Sequence, residues 1–147
     1  MIGDKNCIFC KIVEGKEPAS KVYEDDAILA FMDIRPINTG ECMIIPKEHI
    51  DHFDDIPDDI TSRIILIAQR LTKKIKENFK PLRVGYVVHG FGVPHAHLVL
   101  VPLNRRDDVT SAKFMKIDSG RIVIDFDQVP LQPREELDRA AKILRDV

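Results

Sequence analysis

Two histidines separated by one residue are the most chemically informative feature of the sequence. His95 and His97 begin the segment His-Ala-His-Leu-Val-Leu-Val-Pro. On a β-strand they would share one face with Val99 and Val101. Two neighbouring imidazoles are costly in an apolar sheet unless each finds a partner. A lone H-x-H is more often a pair of satisfied structural histidines than a site, although the same spacing on a strand also suits a metal ion.

A C-x-x-C near the N-terminus offers a second set of reactive groups. Cys7 and Cys10 fit half of a zinc site, a redox pair or two buried thiols. The redox interpretation expects a βαβ context that this chain lacks. A tetrahedral zinc site needs two further ligands, and spacing alone does not choose them. The candidate ligands are His49, His52, His95 and His97.

The elements that must position these groups predict an α+β fold. Apolar residues recur on one face of a 3.6-residue period over 58–79, which predicts a long amphipathic helix. Shorter helical segments are predicted at 7–13 and 133–144. Strands are predicted at 21–24, 28–33, 42–45, 84–88 and 96–101, with a further edge strand at 122–126. Strands on both sides of one long helix, without regular βαβ alternation, favour a mainly antiparallel sheet.

The composition limits the class of protein. A chain of 147 residues with 44% hydrophobic residues is about one ordinary domain with one core. The formal net charge of −2, with three cysteines, argues against a nucleic-acid surface and a disulfide framework. No apolar run approaches the ~20 residues that span a bilayer, and the N-terminus lacks the apolar core of a signal peptide. We therefore expect a cytoplasmic protein that binds neither membrane nor nucleic acid.

Several segments in fixed order resemble the histidine-triad family of nucleotide hydrolases and transferases. They are CIFCKIV at 7–13, VYEDD at 22–26, AFMDIRP at 30–36, MIIPKEHI at 43–50 and VPHAHLVLVP at 93–102. The resemblance implies a five-stranded antiparallel sheet with one long helix and one or more short helices. It also implies a nucleotide-binding domain at 1–105. Residues 106–147 would then form a C-terminal extension, packed on the same domain or on a partner.

The resemblance further implies the roles of particular residues. His97 matches the middle histidine of the family motif, the nucleophile that attacks the α-phosphorus of a purine nucleotide conjugate. Asp33 matches the carboxylate that accepts hydrogen bonds from the ribose. The nucleotide-binding positions are Ile8, Phe9, Ile12, Phe31, Asp33, Ile34, His89 and Gly92. Zinc-containing members imply a structural zinc ion held by Cys7, Cys10, His49 and His95.

The sequence departs from the family motif at its third histidine, where Val99 stands. Valine offers no hydrogen bond to phosphate, and losing one well-aimed donor costs on the order of 10²–10³ in rate. Two functions therefore remain open. The first is a hydrolase of a nucleotide phosphoramidate or dinucleoside polyphosphate, or a nucleotidyltransferase where the acceptor is not water. The second is a nucleotide-binding module with little or no turnover.

A homodimer is also expected. The family joins two sheets, and an open strand edge invites pairing with a second copy. The strand at 42–45, which precedes the long helix, is predicted to be that edge.

Overall fold

The structure is a computed structural model, and it describes residues 3–108 and 114–146. The helices are α1 (Ile8–Val13), α2 (Asp58–Phe79) and α3 (Arg134–Leu144). The strands are β1 (Lys21–Glu24), β2 (Ile28–Met32), β3 (Cys42–Pro46), β4 (Arg83–Val87), β5 (Leu98–Leu103), β6 (Met115–Asp118) and β7 (Arg121–Ile124). None of the helices in the described ranges combines the length and apolarity needed to cross a bilayer.

Five strands form one antiparallel sheet in the order β1-β2-β3-β5-β4. The predicted antiparallel α+β architecture, with one long helix and shorter ones, is thereby confirmed. Val99 in β5 pairs with Met43 of β3 on one side and with Val87 of β4 on the other. β5 therefore lies inside the sheet, and its residues are fixed by two neighbouring strands.

The strand expected to be the open edge is instead central. β3 pairs with both β2 and β5, so the prediction that the strand before the long helix is open is wrong. The free edges of this sheet belong to β1 and β4. After α2 the chain returns to the sheet as β4, at the outer edge. β5 then inserts between β4 and β3, so β3 has a neighbouring strand on both sides.

Both faces of the central strands are covered, which explains why β2 and β3 are buried along their full length. Ile28, Ala30 and Met32 of β2 join the core beneath α2 and α3. Leu29 and Phe31 point the other way and join the cluster that includes Phe9 and Ile12 of α1. This alternation follows from the two-residue period of a strand. It puts α1, and the cysteines around it, on the face opposite the long helix.

The C-terminal residues contribute to the same core. Leu137, Ala140, Ala141 and Leu144 of α3 are buried, and α3 packs against α2, β1 and β2. The edge strand predicted at 122–126 is present as β7 at 121–124, but it pairs with β6 in a separate two-stranded sheet and not with the five-stranded sheet. The division into 1–105 and 106–147 stays a prediction, and residues 109–113 of the connection between them lie outside the described residues.

The carboxylates of Asp25 and Asp26 join the β1–β2 turn to Arg63 of the long helix. Asp25 Oδ1 accepts hydrogen bonds from the N–H groups of Ala27 and Ile28 at 2.8 and 2.9 Å. Its Oδ2 accepts from the Tyr23 hydroxyl at 2.8 Å and from Arg63 of α2 at 2.6 Å. Burial of Asp25 acts to raise its pKa, but these donors outweigh burial and lower the pKa from 3.8 to about 2.

The Asp25 turn predicts acid sensitivity of the fold. A carboxyl group with a lowered folded-state pKa contributes stability above its unfolded pKa, and that contribution is lost as the pH falls through the folded pKa. Lowering the pH from about 4 to 2 should therefore remove about 2 kcal/mol of unfolding free energy through this group. Urea unfolding of wild type and Asp25→Asn should show a shallower loss in the variant. The control Asp54→Asn, at an exposed carboxylate, should follow the wild type; equal slopes for Asp25→Asn would contradict the assignment.

Candidate functional site

His95 and His97 lie just before β5 rather than within it. The predicted strand at 96–101 begins two residues later, at Leu98. The backbone of these residues is bonded outside the sheet, because the His95 N–H donates to the Val93 carbonyl at 2.8 Å and the Ala96 N–H donates to the Ile50 carbonyl at 2.7 Å. Both imidazoles nevertheless lie on the α1 side of the sheet. The Phe9 ring contacts each of them, with centroid distances of 5.8 and 5.4 Å.

The hydrogen bonds of His97 define its tautomer. His97 Nδ1 lies 2.7 Å from the carbonyl oxygen of His95. A carbonyl oxygen can only accept, so Nδ1 carries the proton and donates it. In the neutral ring the lone pair is therefore on Nε2. A neutral imidazole with a free Nε2 is a nucleophile near neutral pH without a separate base.

His97 lines a cavity of about 230 Å³ at the sheet surface. Val99 lines the same cavity, and so do two of the predicted nucleotide-binding residues, His89 and Gly92. The loop that carries Gly92 turns with positive φ values of 77° at Gly90 and 91° at Gly92, a conformation that glycine adopts without steric penalty. Beside His97, Val99 presents only methyl groups to this space.

A second cavity, of about 380 Å³, adjoins the first. Its walls are mainly apolar and include the predicted residues Ile8, Phe9, Ile12, Phe31 and Ile34. Asp33 and Met43 line both cavities. Asp33 Oδ1 accepts a hydrogen bond from the Arg35 N–H at 2.8 Å, which fixes the carboxylate at the junction. The two cavities thus bring together all eight positions that the sequence indicated for nucleotide binding.

Four potential metal ligands converge beside the first cavity. One donor atom from each of Cys7, Cys10, His49 and His95 lies within 4.8 Å of the others. His95 Nδ1 is 3.5 Å from Cys7 Sγ and 3.6 Å from Cys10 Sγ, and His49 Nδ1 is 3.2 Å from Cys10 Sγ. Tetrahedral zinc, with bonds of about 2.3 Å to sulfur and about 2.0–2.1 Å to nitrogen, separates these atoms by about 3.6 Å. The donor set therefore fits a zinc ion, and His52 lies outside it.

The protonation states of this cluster also suit a metal. His95 Nε2 donates to the Pro46 carbonyl at 2.8 Å, which leaves the Nδ1 lone pair directed at the sulfurs. Burial, the largest effect, lowers the pKa of His95, which favours the neutral form of the ring. Burial also raises the pKa of Cys10 to about 11. A thiolate would form there only with a compensating cation, which a zinc ion supplies.

Several residues around the cavities carried no signal in the sequence. Glu17 and Arg134 line the larger cavity, and Val129 lines the smaller one. Arg35 Nη1 donates to the carbonyls of Val129 and Asp127 at 2.6 and 3.1 Å. These contacts join the C-terminal residues to the segment that follows β2. Only tertiary structure brings residues 129 and 134 to the site, so no local pattern could have revealed them.

Comparisons with known proteins agree with this geometry. The family model described as HIT domain matches residues 14–106. The chain is 34% identical over 127 residues to an uncharacterized HIT-like protein of Methanocaldococcus jannaschii, covering 84% of this chain and 95% of that protein. It is 38% identical over 119 residues to the adenosine 5'-monophosphoramidase HNT1 of Candida albicans, covering 75% and 77%. A crystal structure of a Zn-bound histidine triad family protein from Mycobacterium smegmatis superposes with a TM-score of 0.70 at 26% identity, covering 97% and 93%.

Proposed function

This chain belongs to the HIT domain family, and from that premise we propose that it hydrolyses a purine nucleotide conjugate at the α-phosphate. The conjugate is a phosphoramidate or a dinucleoside polyphosphate, and His97 is the nucleophile. The observation that carries this proposal is the His97 ring, which lines a cavity while its Nδ1 proton is held by the His95 carbonyl. The similarity to a protein named as an adenosine 5'-monophosphoramidase supports it.

The proposed reaction has two displacements. The lone pair of His97 Nε2 attacks the α-phosphorus and the bond to the leaving group breaks. A leaving amine departs with a proton taken from solvent, and a leaving phosphate departs as its anion. The phosphorylated ring carries positive charge, which the His95 carbonyl stabilises through the Nδ1–H hydrogen bond. Water then attacks the same phosphorus and loses a proton to solvent, and the electron pair of the P–N bond returns to Nε2. This step releases the nucleoside monophosphate and restores neutral His97. With another acceptor in place of water, the same steps give nucleotidyl transfer.

The adjoining cavities support the proposed orientation of the nucleotide. The apolar walls formed by Ile8, Phe9 and Ile12 would enclose the base, because a purine presents two apolar faces. Asp33 stands between the cavities, where its free Oδ2 would accept hydrogen bonds from the ribose hydroxyls. The phosphate would then lie in the smaller cavity beside His97, with His89 and Gly92 around it.

We propose a structural zinc ion held by Cys7, Cys10, His49 and His95. The S–N distances near 3.5 Å and the similarity to a Zn-bound protein support it. A closed set of four protein ligands leaves no position for catalytic water. When bound, the ion supplies folding energy and fixes the backbone two residues before His97.

We also propose that the chain forms a homodimer through β4. This strand is a free edge of the five-stranded sheet, and unpaired edges invite a second copy. Tyr86 and Val88 are 41% and 46% exposed at this edge, which gives a partner apolar surface to cover.

A nucleotide-binding module with little turnover is the second candidate. Val99 favours it, because the side chain that would assist charge development at phosphate is apolar. It predicts that purified protein binds a purine nucleotide with no measurable release of nucleoside monophosphate from either class of conjugate. Substantial turnover excludes this candidate.

Replacing His97 tests the proposed hydrolase. His97→Asn should lower the release of nucleoside monophosphate by about three orders of magnitude or more, since the nucleophile is lost. Nucleotide binding measured by calorimetry should remain. The control Gln69→Asn changes an exposed side chain of α2 that lines neither cavity, so it should keep wild-type activity. Full activity in His97→Asn would rule out the proposed mechanism.

Replacing Val99 by histidine, the residue at this position of the family motif, should increase turnover. In Val99→His the imidazole would enter the cavity that contains His97, and a well-aimed donor is worth up to ~3 kcal/mol in a transition state. We expect at least a several-fold rise in kcat, with ~1–3 kcal/mol of stability lost to overpacking. Val99→Leu adds bulk without a donor and should not raise kcat. A folded Val99→His protein with unchanged or lower kcat would show that the cavity does not place phosphate beside residue 99.

The metal content tests the zinc proposal. Protein purified without chelator should contain about one zinc per chain by elemental analysis, and chelation should lower the melting temperature because metal binding is coupled to folding. Cys10→Ala should reproduce the effect of chelation. Cys42 is the third free cysteine and lies outside the cluster, so Cys42→Ala should keep the metal. Wild-type protein without zinc would refute the proposal.

A further inference from the structure

The larger cavity has two charged groups of opposite sign among apolar walls. Its lining residues are apolar except for Glu17, Asp33 and Arg134. Asp33 lies at the junction with the smaller cavity, where the phosphate is proposed to bind. Glu17 and Arg134 are both exposed, so they lie at the open side of the cavity, where the polar edge of a bound base would emerge.

Arg134 is held in position by a hydrogen bond to a buried serine from a distant part of the chain. Its Nη1 donates to Ser20 Oγ at 2.9 Å, and Ser20 Oγ donates to Asp138 at 2.6 Å. Ser20 is 1% exposed, so Arg134 is joined to the protein interior. The Gln132 N–H donates to the Ile34 carbonyl at 2.9 Å, which ties the approach to α3 to the wall of the cavity. The guanidinium is thus fixed at one of its nitrogens while its other donors stay available.

The two charges do not neutralise each other. Within residues 3–108 and 114–146, no ion pair joins Glu17 to Arg134, and the Glu17 carboxylate has no side-chain hydrogen bond. The Glu17 carboxylate can accept two hydrogen bonds, and the Arg134 guanidinium can donate two. Because the two groups do not pair with each other, both remain available to a ligand. A ligand that lies between them must offer donors to Glu17 and acceptors to Arg134.

Guanine carries that arrangement of groups. Its O6 and N7 accept two hydrogen bonds from one arginine, and its N1–H and N2–H donate two to one carboxylate. Adenine in the same orientation presents an amino group to the arginine and an unprotonated N1 to the carboxylate. The amino group of adenine, a donor, then faces the donors of Arg134, and N1, an acceptor, faces the acceptors of Glu17. A polar site that cannot form hydrogen bonds with a ligand discriminates strongly against that ligand.

We propose that Glu17 and Arg134 make this cavity selective for guanine nucleotides. The proposal rests on the proposed function, because it takes the larger cavity as the site of the base. Arg134 reads O6 and N7, and Glu17 reads N1–H and N2–H. The C-terminal extension then has a specific role, since it brings Arg134 to the base.

Calorimetric titration of the zinc-loaded full chain with GMP, IMP and AMP tests this assignment. GMP should bind about tenfold or more tightly than AMP. IMP keeps O6, N7 and N1–H but lacks the 2-amino group, so its affinity should lie between the other two. Glu17→Gln and Arg134→Met should each reduce the ratio of GMP to AMP affinity to about threefold or less. Arg134→Lys, which keeps the charge but loses the planar fork, should give an intermediate ratio.

Controls separate this assignment from effects on folding and from the proposed function. Arg139 is exposed on α3 and lines neither cavity, so Arg139→Met should keep the wild-type ratio, and all variants should melt near the wild-type temperature. Equal affinity for GMP and AMP, or tighter AMP binding, would overturn the guanine assignment and leave the proposed function standing. A guanine preference unchanged in both Glu17→Gln and Arg134→Met would overturn the roles of these residues. Binding of none of the three nucleotides would overturn both the assignment and the proposed function.

Discussion

The buried imidazole of His95 is the constraint on which the rest of the site depends. It is fully buried, and its Nε2–H is held by the Pro46 carbonyl at the end of β3. Its Nδ1 is thereby turned toward Cys7 and Cys10 on the opposite side of the ring. Its own carbonyl accepts the Nδ1 proton of His97. One residue therefore links the sulfur cluster, the central strand and the proposed nucleophile, so a shift at any of them would misalign the others.

The cavities on either side follow from how the sheet is covered. β2 sends Phe31 toward α1 and Ala30 toward α2, and Asp33 follows β2 at the junction of the two cavities. The apolar cavity can exist because α1 is short and packs on only part of this face. The C-terminal residues reach both cavities: Val129, which accepts a hydrogen bond from Arg35, lines the smaller one, and Arg134 lies at the open side of the larger one. The extension is in this sense part of the site as well as part of the core.

Local patterns predicted the elements well and their arrangement less well. The period of α2 and the H-x-H segment could be recognised because they depend on neighbouring residues. The central place of β3 could not, because strand order is decided by pairing between distant segments. The start of β5 at Leu98 depends on a bond from His95 to Val93 and another from Ala96 to Ile50, which no strand pattern contains. Glu17 and Arg134 are ordinary surface residues in sequence, and only the packing of α3 brings them to one cavity.

The central claim is that His97 becomes covalently attached to the nucleotide, and intact-protein mass spectrometry after rapid quenching measures this most directly. Mixing the protein with a purine nucleoside phosphoramidate should give a transient mass increase of one nucleoside monophosphate. Fragmentation should place the adduct on His97, and the adduct should be acid-labile, as a phosphorus–nitrogen bond is. His97→Asn should give none. Turnover without any adduct during the approach to steady state, or an adduct on another residue, would contradict the account.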